Sequence, residues 1–229
     1  MKISVIIPAH NEEKNIADTI KAVLAQDHED FEVIVVDNAS SDRTSAVAGQ
    51  FPVKLVSESR KGLLWARECG RINATGDIIA NIDADCLPEK DWLSRGVNSF
   101  KDGIVAITGP YDYYDGAKFF RFTSLFTQRH IYHLMNWFIQ LKFIKKGAVL
   151  IGGNNFIRAD ILKKAGGYNT SLTFYGEDTD TAKRVSRYGK VFFNKSLMMK
   201  TSARRFKSEG TFTITAKYLF HFFKIVLNG

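Results

Sequence analysis

Two aspartates separated by a single alanine, Asp83 and Asp85, follow an apolar run in the segment DIIANIDADCLP. Residues i and i+2 of a β-strand point to the same side, so a strand ending here would bring both carboxylates together. Two like charges in that position repel each other unless a cation lies between them. Carboxylate oxygens are suitable ligands for a divalent metal ion, and a solvated turn leading into Pro88 is the simpler alternative. The pair therefore indicates either a metal site or an acidic turn.

The elements that would position this pair are strands alternating with helices. The segments KISVIIP, FEVIVVD, VKLVSES, DIIANID and GIVAITG are predicted to be strands, and NIADTIKAVLAQ and LLWARECGRINAT have the apolar spacing of helices. This alternation predicts an α/β fold with a mostly parallel sheet and flanking helices. We expect one domain: a Rossmann-like half over residues 1–115, a helical and aromatic half over 116–205, and an amphipathic tail over 206–229.

Three polar clusters follow the predicted strands: PAHNEE after the first, DNASSD after the second and DADC after the fourth. Ligands of open α/β sheets bind beyond the carboxyl ends of the strands. Three polar strand ends in one sheet therefore predict a binding site at that edge.

Charge is distributed unevenly along the chain. Residues 1–115 contain 12 basic and 19 acidic residues, a net charge of −7, whereas residues 116–229 contain 20 and 5, a net charge of +15. The basic half indicates an anionic partner. No helix-turn-helix, zinc-finger or RNP motif is found, so a nucleic-acid partner is not expected. Two cysteines, no recognisable signal peptide and no long apolar run predict a cytoplasmic protein.

Six motifs in order resemble those of the inverting glycosyltransferases of family 2, which have the A-type nucleotide-sugar transferase fold. They are VIIPAHNEE, VIVVDNASSD, RKGLLWARECG, IDADC, GGNNFIRAD and GEDTD, and the resemblance covers roughly residues 3–205. It implies metal-dependent transfer of a sugar from a nucleoside-diphosphate sugar, with a UDP-sugar favoured. The acceptor would be a hydroxyl of a glycan or a lipid-linked acceptor. The Q-x-x-R-W motif of processive members is not found, which favours adding one sugar per encounter.

The same resemblance implies a nucleotide-binding set. These residues are Pro8, Ala9, Glu12, Asp37, Arg60, Lys61, Gly62, Arg67, Asp83 and Ala84. Asp37 would accept hydrogen bonds from the base, with helix capping as the alternative. Arg60, Lys61, Gly62 and Arg67 would lie near the base and ribose, although Arg60 and Lys61 could equally be solvated basic residues.

The resemblance also implies the metal ligands and the catalytic residues. Asp85 would ligate Mn²⁺ or Mg²⁺, and Asp83 would contact the ribose or a metal-bound water. Asp178 would be the base that takes the proton from the acceptor hydroxyl, and Glu177 would orient it. The alternative is that Glu177, Asp178 and Asp180 simply occupy the favourable first turn of a helix.

Two further groups complete the expected site. The floor beneath the donor sugar and the acceptor would be formed by Gly152, Gly153, Asn154 and Asn155. A glycine turn is the alternative reading of this segment. In SARRF, Arg204 and Arg205 would clamp the diphosphate on a flexible loop, and a basic surface stretch is an equal alternative.

Basic and aromatic residues are interleaved between residues 116 and 146 and again in the tail. The first segment includes Phe143, Lys142, Lys145 and Lys146. Such segments suit an anionic membrane surface, which would place the enzyme peripherally at the inner face of the membrane. Packing on the core or on a partner subunit is the alternative, and the oligomeric state stays open.

Several other classes of protein share single features with this sequence. A haloacid-dehalogenase-type phosphohydrolase also has a D-x-D motif after an apolar strand, but there it lies near the N-terminus and continues to Thr or Val. The glycine-rich opening loop of a nucleotidyltransferase is absent from this sequence, and so is the G-x-G-x-x-G motif of a Rossmann dehydrogenase. A degenerate transferase serving as a non-catalytic nucleotide-binding scaffold is the remaining alternative, which the retained acids Asp83, Asp85 and Asp178 disfavour.

Overall fold

The structure, a computed structural model, describes residues 1–101, 103–140, 148–172 and 175–227. Its strands are β1 (Ile3–Ala9), β2 (Phe31–Asp37), β3 (Lys54–Ser57), β4 (Ile78–Ile82), β5 (Leu87–Pro88), β6 (Ile104–Thr108), β7 (Tyr111–Tyr113), β8 (Asn154–Arg158), β9 (Lys190–Phe193) and β10 (Met199–Thr201). Phe143 and the lysines at 142, 145 and 146 lie outside the described residues.

Helices surround these strands. They are α1 (Ile16–Leu24), α2 (Thr44–Ala48), α3 (Leu63–Asn73), α4 (Trp92–Asn98), α5 (Lys118–Phe126), α6 (His133–Ile139), α7 (Ala159–Lys164), α8 (Glu177–Val185), α9 (Arg204–Glu209) and α10 (Thr211–Leu227). A π-helical turn, Thr127–Tyr132, joins α5 to α6.

The main sheet has seven strands in the order β3-β2-β1-β4-β8-β6-β9. The pairs on the β3 side of the sheet are parallel, as is β6 with β9, whereas β8 runs antiparallel to both β4 and β6. The prediction of an α/β fold with a mostly parallel sheet is confirmed. Strand β8 was not predicted, and it joins the two halves of the chain in one sheet; the division into three segments stays a prediction.

Alternating side chains of β1 are buried in two separate cores. Val5 and Ile7 pack with Ile16 and Ile20 of α1, and Ile6 packs on the other face with Leu64 of α3. Burying each such side chain fully contributes about 1.5–3 kcal/mol. A strand covered on both faces needs a continuous apolar run, which explains why β1 and β2 were readily predicted from the sequence.

A smaller sheet, in the order β5-β10-β7, lies next to the carboxyl end of β4. Its central strand β10 pairs antiparallel with β5 and parallel with β7. This arrangement brings the segment before α9 alongside the acidic DADC turn.

Helix α10 packs against α8 and α9. The contact with the turn before α8 is close: a Cβ on Gly176 would lie 2.4 Å from Ile225 Cδ1, and Gly176 has a left-handed φ of 83°. Glycine is therefore required there, and α10 lies directly over the GED motif. Among the residues described, no helix combines the length and apolar character needed to cross a membrane.

Candidate functional site

A cleft of about 730 Å³, here called the outer cleft, opens beyond the carboxyl ends of β1, β2 and β4. Many of the predicted site residues line it: Pro8, Ala9, Glu12, Lys61, Gly62, Asp83, Ala84, Asp85, Arg204 and Arg205. They come from strand ends far apart in sequence. The parallel sheet brings these ends to one edge, as the three polar clusters predicted.

Asn38, a residue that was not predicted to belong to the site, fixes one wall of the outer cleft. Its buried Nδ2 donates to the carbonyl oxygens of Glu58 (3.1 Å) and Arg60 (2.8 Å), and its Oδ1 accepts a hydrogen bond from Gly62 N (2.8 Å). One side chain thus ties the end of β2 to the loop carrying Lys61. A fixed loop of this kind holds a binding surface in place without ligand.

Asp37 and Arg60 are not among the residues that line the outer cleft. Asp37 ends β2 beside Ala9, and its buried Oδ1 has no hydrogen-bond partner among the described residues. An unpaired buried carboxylate oxygen is costly unless a donor reaches it. Arg60 instead pairs with Glu58 at 2.7 Å and lies 3.8 Å from the ring centroid of Trp65. The structure therefore places the Arg60 guanidinium against Glu58 and Trp65 and not in the outer cleft.

Arg204 connects two acids across the outer cleft. Its guanidinium donates to Glu12 and lies 3.2 Å from Asp85 Oδ2, and its side chain is 51% exposed. Burial, reinforced by the neighbouring Asp83, raises the pKa of Asp85 to about 6, and Arg204 opposes that rise. The expected flexible loop is a short helix, α9. Asp115 anchors its start by accepting hydrogen bonds from Ala203 N and Ser202 Oγ.

Arg67 lies deeper, between two acids from distant parts of the chain. Its Nη1 donates to Glu177 Oε2 at 2.6 Å and its Nη2 to Asp83 Oδ1 at 3.2 Å, and its side chain is 2% exposed. Burial disfavours its charge, but Glu177 and Asp83 outweigh this effect and raise the pKa of Arg67. We expected Arg67 near the base and ribose; the structure instead places it beneath the junction of the D-x-D and GED motifs.

A second space, the inner cavity, adjoins the outer cleft and has a volume of about 480 Å³. Asp83 lines both spaces, whereas Glu177 and Asp178 line only the inner cavity. Asp178 Oδ1 accepts hydrogen bonds from Thr179 N at 2.7 Å and Thr179 Oγ1 at 3.3 Å. Burial raises the pKa of Asp178, although these hydrogen bonds and the charge of Arg67 oppose the rise. Asp178 thus has the environment of a proton acceptor.

Gly152 and Gly153 line the inner cavity where carboxylates approach the backbone closely. A Cβ on Gly152 would lie 2.6 Å from Glu177 Oε1, and one on Gly153 would lie 2.1 Å from Asp83 Oδ2. Both distances are too short for any side chain. The two glycines therefore make room for the acids beside the cavity.

Asn154 and Asn155 do not face either space. Asn154 Oδ1 accepts a hydrogen bond from Trp92 Nε1 at 2.9 Å, and its Nδ2 donates to Leu197 O at 2.8 Å. Asn155 Nδ2 donates to Gly152 O at 2.6 Å, and its Oδ1 accepts from Asn81 Nδ2 at 2.8 Å. We expected both amides beneath the donor sugar. The structure buries them instead, because β8 is an inner strand of the sheet.

Asp180 and Arg205 have partners on their own helices. Asp180 pairs with Arg184 at 2.8 Å, and Arg205 pairs with Glu209 at 3.1 Å at the edge of the outer cleft. Both pairs are separated by four residues, the usual spacing of neighbours on one helix face. Asp180 therefore contributes to helix α8 and not to the cavity.

Two tyrosines at the site were missed in the sequence. Tyr111 donates to Asp83 Oδ2 at 3.1 Å, and Tyr218 of α10 lines both the outer cleft and the inner cavity. Burial raises the pKa of both hydroxyls well above the ordinary value for tyrosine. Tyr218 lies in the tail that was predicted to be amphipathic, but nothing in the sequence indicated which surface this tail covers.

The acids of the outer cleft are the candidate ligands for a divalent metal ion. No group of three or more His, Cys, Asp or Glu side chains with suitable geometry occurs among the described residues. Asp83 and Asp85 nevertheless offer hard carboxylate oxygens at the edge of the outer cleft. Mg²⁺ is often bound by one or two carboxylates together with substrate phosphates, so these two acids fit a cation that arrives with a diphosphate.

The known proteins to which this chain is similar are glycosyltransferases. The family model described as Glycosyl transferase family 2 matches residues 4–166. Glycosyltransferase AglE of Haloferax volcanii is 31% identical over 82% of this chain and 62% of its own length. The probable glycosyltransferase YdaM of Bacillus subtilis is 32% identical over 98% of this chain and 58% of its own length. The chain thus spans about three fifths of each of these two relatives.

Among solved structures, the mannosyltransferase PcManGT from Pyrobaculum calidifontis in complex with GDP-Man and Mn²⁺ superposes with a TM-score of 0.76. It is 23% identical, and the match covers 100% of this chain and 65% of that one. At 23% sequence identity this similarity shows the fold alone, and it confirms the predicted A-type transferase fold.

Proposed function

Because the chain belongs to glycosyl transferase family 2, we propose that it transfers one sugar from a nucleoside-diphosphate sugar to an acceptor hydroxyl with inversion. The observation that carries this proposal is the junction of two spaces at Asp83, one that contains exposed charged side chains and one that leads to Asp178. A transferase needs two adjoining sites of this kind, one for the donor and one for the acceptor.

The outer cleft would bind the donor nucleotide. Lys61 and Gly62 line this cleft on the loop that Asn38 fixes. Asp37 ends β2 beside Ala9 of the cleft wall, and its unpaired Oδ1 would accept a hydrogen bond from a base that reaches past this wall to the end of β2. Arg204 would exchange its present acids for the diphosphate, since a guanidinium suits phosphate oxygens. The identity of the nucleobase stays a prediction: the sequence favoured a UDP-sugar, whereas the structural neighbour PcManGT was solved with GDP-Man.

Asp83 and Asp85 would hold Mn²⁺ or Mg²⁺ together with the diphosphate. Such an ion, when bound, neutralises the charge that develops on the departing nucleoside diphosphate. The PcManGT complex contains Mn²⁺. In this chain, Arg67 and the Tyr111 hydroxyl fix the Asp83 carboxylate from behind, at 3.2 and 3.1 Å.

Asp178 would act as the general base. The acceptor oxygen forms a bond to the anomeric carbon as its proton passes to Asp178, and the bond from that carbon to the diphosphate oxygen breaks with its electron pair. Attack from the face opposite the nucleotide gives inversion. Arg67 would position Glu177 beside this base, because the ion pair holds Glu177 at 2.6 Å. A positioned base of this kind contributes roughly 10²–10⁴-fold to the rate.

We further propose that the acceptor side of the enzyme meets an anionic membrane surface and that the acceptor is a glycan or a lipid-linked molecule. Phe119 of α5 is 79% exposed and Phe212 of α10 is 89% exposed, and neither helix contains an acidic residue. Exposed aromatic residues beside lysines suit the interface of an anionic bilayer. If the protein stayed unbound to phosphatidylglycerol vesicles at low salt, the membrane part of the proposal would be withdrawn.

The donor site is tested by calorimetric titration of UDP, GDP and dTDP, each with Mn²⁺ and again with EDTA. We expect one nucleotide to bind only with the metal, and Asp85→Asn to abolish that binding. The control is Asp160→Asn, which removes a surface carboxylate paired with Lys164 and should bind like the parent. If the folded protein showed no metal-dependent binding of any of the three, the scaffold alternative would replace the transferase.

A further inference from the structure

The sugar of a bound donor has to lie where the outer cleft meets the inner cavity. Its anomeric carbon is bonded to the diphosphate, which the outer cleft would hold, and is attacked from the side of Asp178, which lines the inner cavity. The described residues that line both spaces therefore surround the position of this sugar. They are Leu63, Asp83, Tyr111, Tyr113, Phe206 and Tyr218.

The polar groups that were expected beneath the sugar are engaged elsewhere. Asn154 and Asn155 are buried in hydrogen bonds to the chain itself and face neither space. At the junction, Asp83 accepts hydrogen bonds from Arg67 at 3.2 Å and from the Tyr111 hydroxyl at 3.1 Å, and it would also hold the cation. The hydroxyl groups of a sugar lose their bonds to water on binding and need new partners. Other residues at the junction must supply them.

Tyr113 and Tyr218 present free hydroxyl groups at this junction. Neither hydroxyl has a hydrogen-bond partner among the residues that the structure describes. Burial raises the pKa of both tyrosines well above the ordinary value, and for Tyr218 the charge of Asp178 adds to this effect. Both side chains therefore stay protonated at neutral pH, and each can donate one hydrogen bond and accept others. The hydroxyl groups of a sugar have the same capacity.

Both tyrosine rings are held in place without a ligand. Tyr113 lies on β7, and its ring centroid is 5.3 Å from that of Phe120 and 5.1 Å from that of Phe206. Tyr218 lies on α10, and its ring centroid is 5.4 Å from that of Tyr175. A side chain that is already packed loses little conformational freedom when it binds a ligand. The two hydroxyl groups are thus preorganised, one on β7 and one on α10.

From these observations we propose that Tyr113 and Tyr218 bind hydroxyl groups of the transferred sugar and so help to select which sugar is transferred. This inference rests on the proposed function and deepens it. It assigns recognition of the sugar to β7 and α10, whereas the nucleotide would be bound by the strand ends of the first half. Helix α10, which was predicted as an amphipathic tail, is then part of the donor site.

Removal of single hydroxyl groups tests this assignment. Tyr113→Phe and Tyr218→Phe each delete one oxygen atom and keep the packed ring. Tyr132→Phe is the matched control, because Tyr132 lines the inner cavity but not the outer cleft, and its hydroxyl also has no partner among the described residues. The probes are UDP-glucose, UDP-N-acetylglucosamine, GDP-mannose and dTDP-glucose. Each is compared with its own nucleoside diphosphate by calorimetry in the presence of Mn²⁺.

The expected result concerns the sugar nucleotide that the parent protein binds most tightly. Tyr113→Phe and Tyr218→Phe should each raise its Kd about fivefold, the loss of one neutral hydrogen bond. The Kd of the nucleoside diphosphate alone should stay unchanged, whereas a general disturbance of the cleft would weaken both ligands. Tyr132→Phe should change neither Kd.

Unchanged binding of the sugar nucleotide in Tyr113→Phe or Tyr218→Phe would overturn the assignment of that tyrosine. Equal weakening of both ligands would show a structural role instead, and a comparable loss in Tyr132→Phe would place the sugar inside the inner cavity. A parent protein that bound a nucleoside diphosphate but none of the four sugar nucleotides would show that the junction excludes a sugar, which contradicts the inference. If the parent bound neither kind of ligand with Mn²⁺, the proposed function itself would fail.

Discussion

Two arginines of this protein each connect two acids, but they do so in different surroundings. Arg67 joins Asp83 to Glu177 beside the inner cavity and is 2% exposed, whereas Arg204 joins Glu12 to Asp85 across the outer cleft and is 51% exposed. A buried ion pair is fixed, because removing one partner leaves an uncompensated charge. An exposed pair is worth little and can be exchanged for another. The inner arginine is thus suited to hold geometry and the outer one to bind a ligand.

The same contrast distinguishes the outer cleft from the inner cavity. The outer cleft contains charged groups that a nucleotide and a cation could take over, whereas the charged groups of the inner cavity are Arg67 with its two acid partners and Asp178, whose pKa is raised by burial. A transferase needs an exchangeable donor site and a dry place for the attacking hydroxyl.

The largest expected effect is on stability. Arg67→Met should lower the free energy of unfolding by about 3–5 kcal/mol, because Glu177 and Asp83 lose their buried counterion. Arg204→Met should change it by less than about 1 kcal/mol. Urea unfolding followed by circular dichroism measures both. Similar losses in the two variants would remove the distinction between the arginines.

A second prediction concerns the close approach of Asp83 to the backbone. Gly153→Ala would place a Cβ 2.1 Å from Asp83 Oδ2, and overpacking of this kind costs about 1–3 kcal/mol. We expect lower stability together with weaker nucleotide binding. Gly49→Ala is the control, because its Cβ would meet its nearest atom at an ordinary 3.4 Å. A Gly153→Ala protein that bound nucleotide normally would show that Asp83 is not held as described.

The exchange of partners by Arg204 can be measured directly. Arg204→Met should weaken binding of the nucleoside diphosphate about tenfold, the loss of one charge-assisted hydrogen bond, and should leave binding of the nucleoside alone unchanged. Calorimetry with both ligands separates the two cases. Equal weakening for nucleoside and diphosphate would indicate that Arg204 shapes the cleft without contacting phosphate.

The smallest effect is a pH dependence. Asp178 must be ionised to accept a proton, and burial raises its pKa above the ordinary value of 3.8. We expect kcat/KM to fall by at most about tenfold per pH unit below that raised pKa. A raised pKa means that the folded state binds this proton more tightly, so its protonation does not itself unfold the protein. A profile that stayed flat until the protein unfolded would contradict the assignment of the base.

The sequence predicted the parallel part of the sheet because β1, β2 and β4 are buried runs bounded by polar turns. It did not predict β8, whose segment begins with Gly-Gly-Asn-Asn and carries polar side chains that are satisfied only by partners elsewhere. Asn154 and Asn155 were misplaced for the same reason. The place of Arg67 also depends on a contact with Glu177, 110 residues away, which no local pattern encodes. The strand-end cluster around Asp83 and Asp85 was predictable because topology alone brings strand ends together.

The most direct test of the division between donor and acceptor sites is a parallel measurement of nucleotide Kd and kcat in Asp178→Asn and Asp85→Asn. We predict that Asp178→Asn keeps the parent Kd while its kcat falls by about 10²–10⁴-fold. Asp85→Asn should lose both metal-dependent binding and turnover. A loss of nucleotide binding in Asp178→Asn, or normal turnover in that variant, would contradict the account.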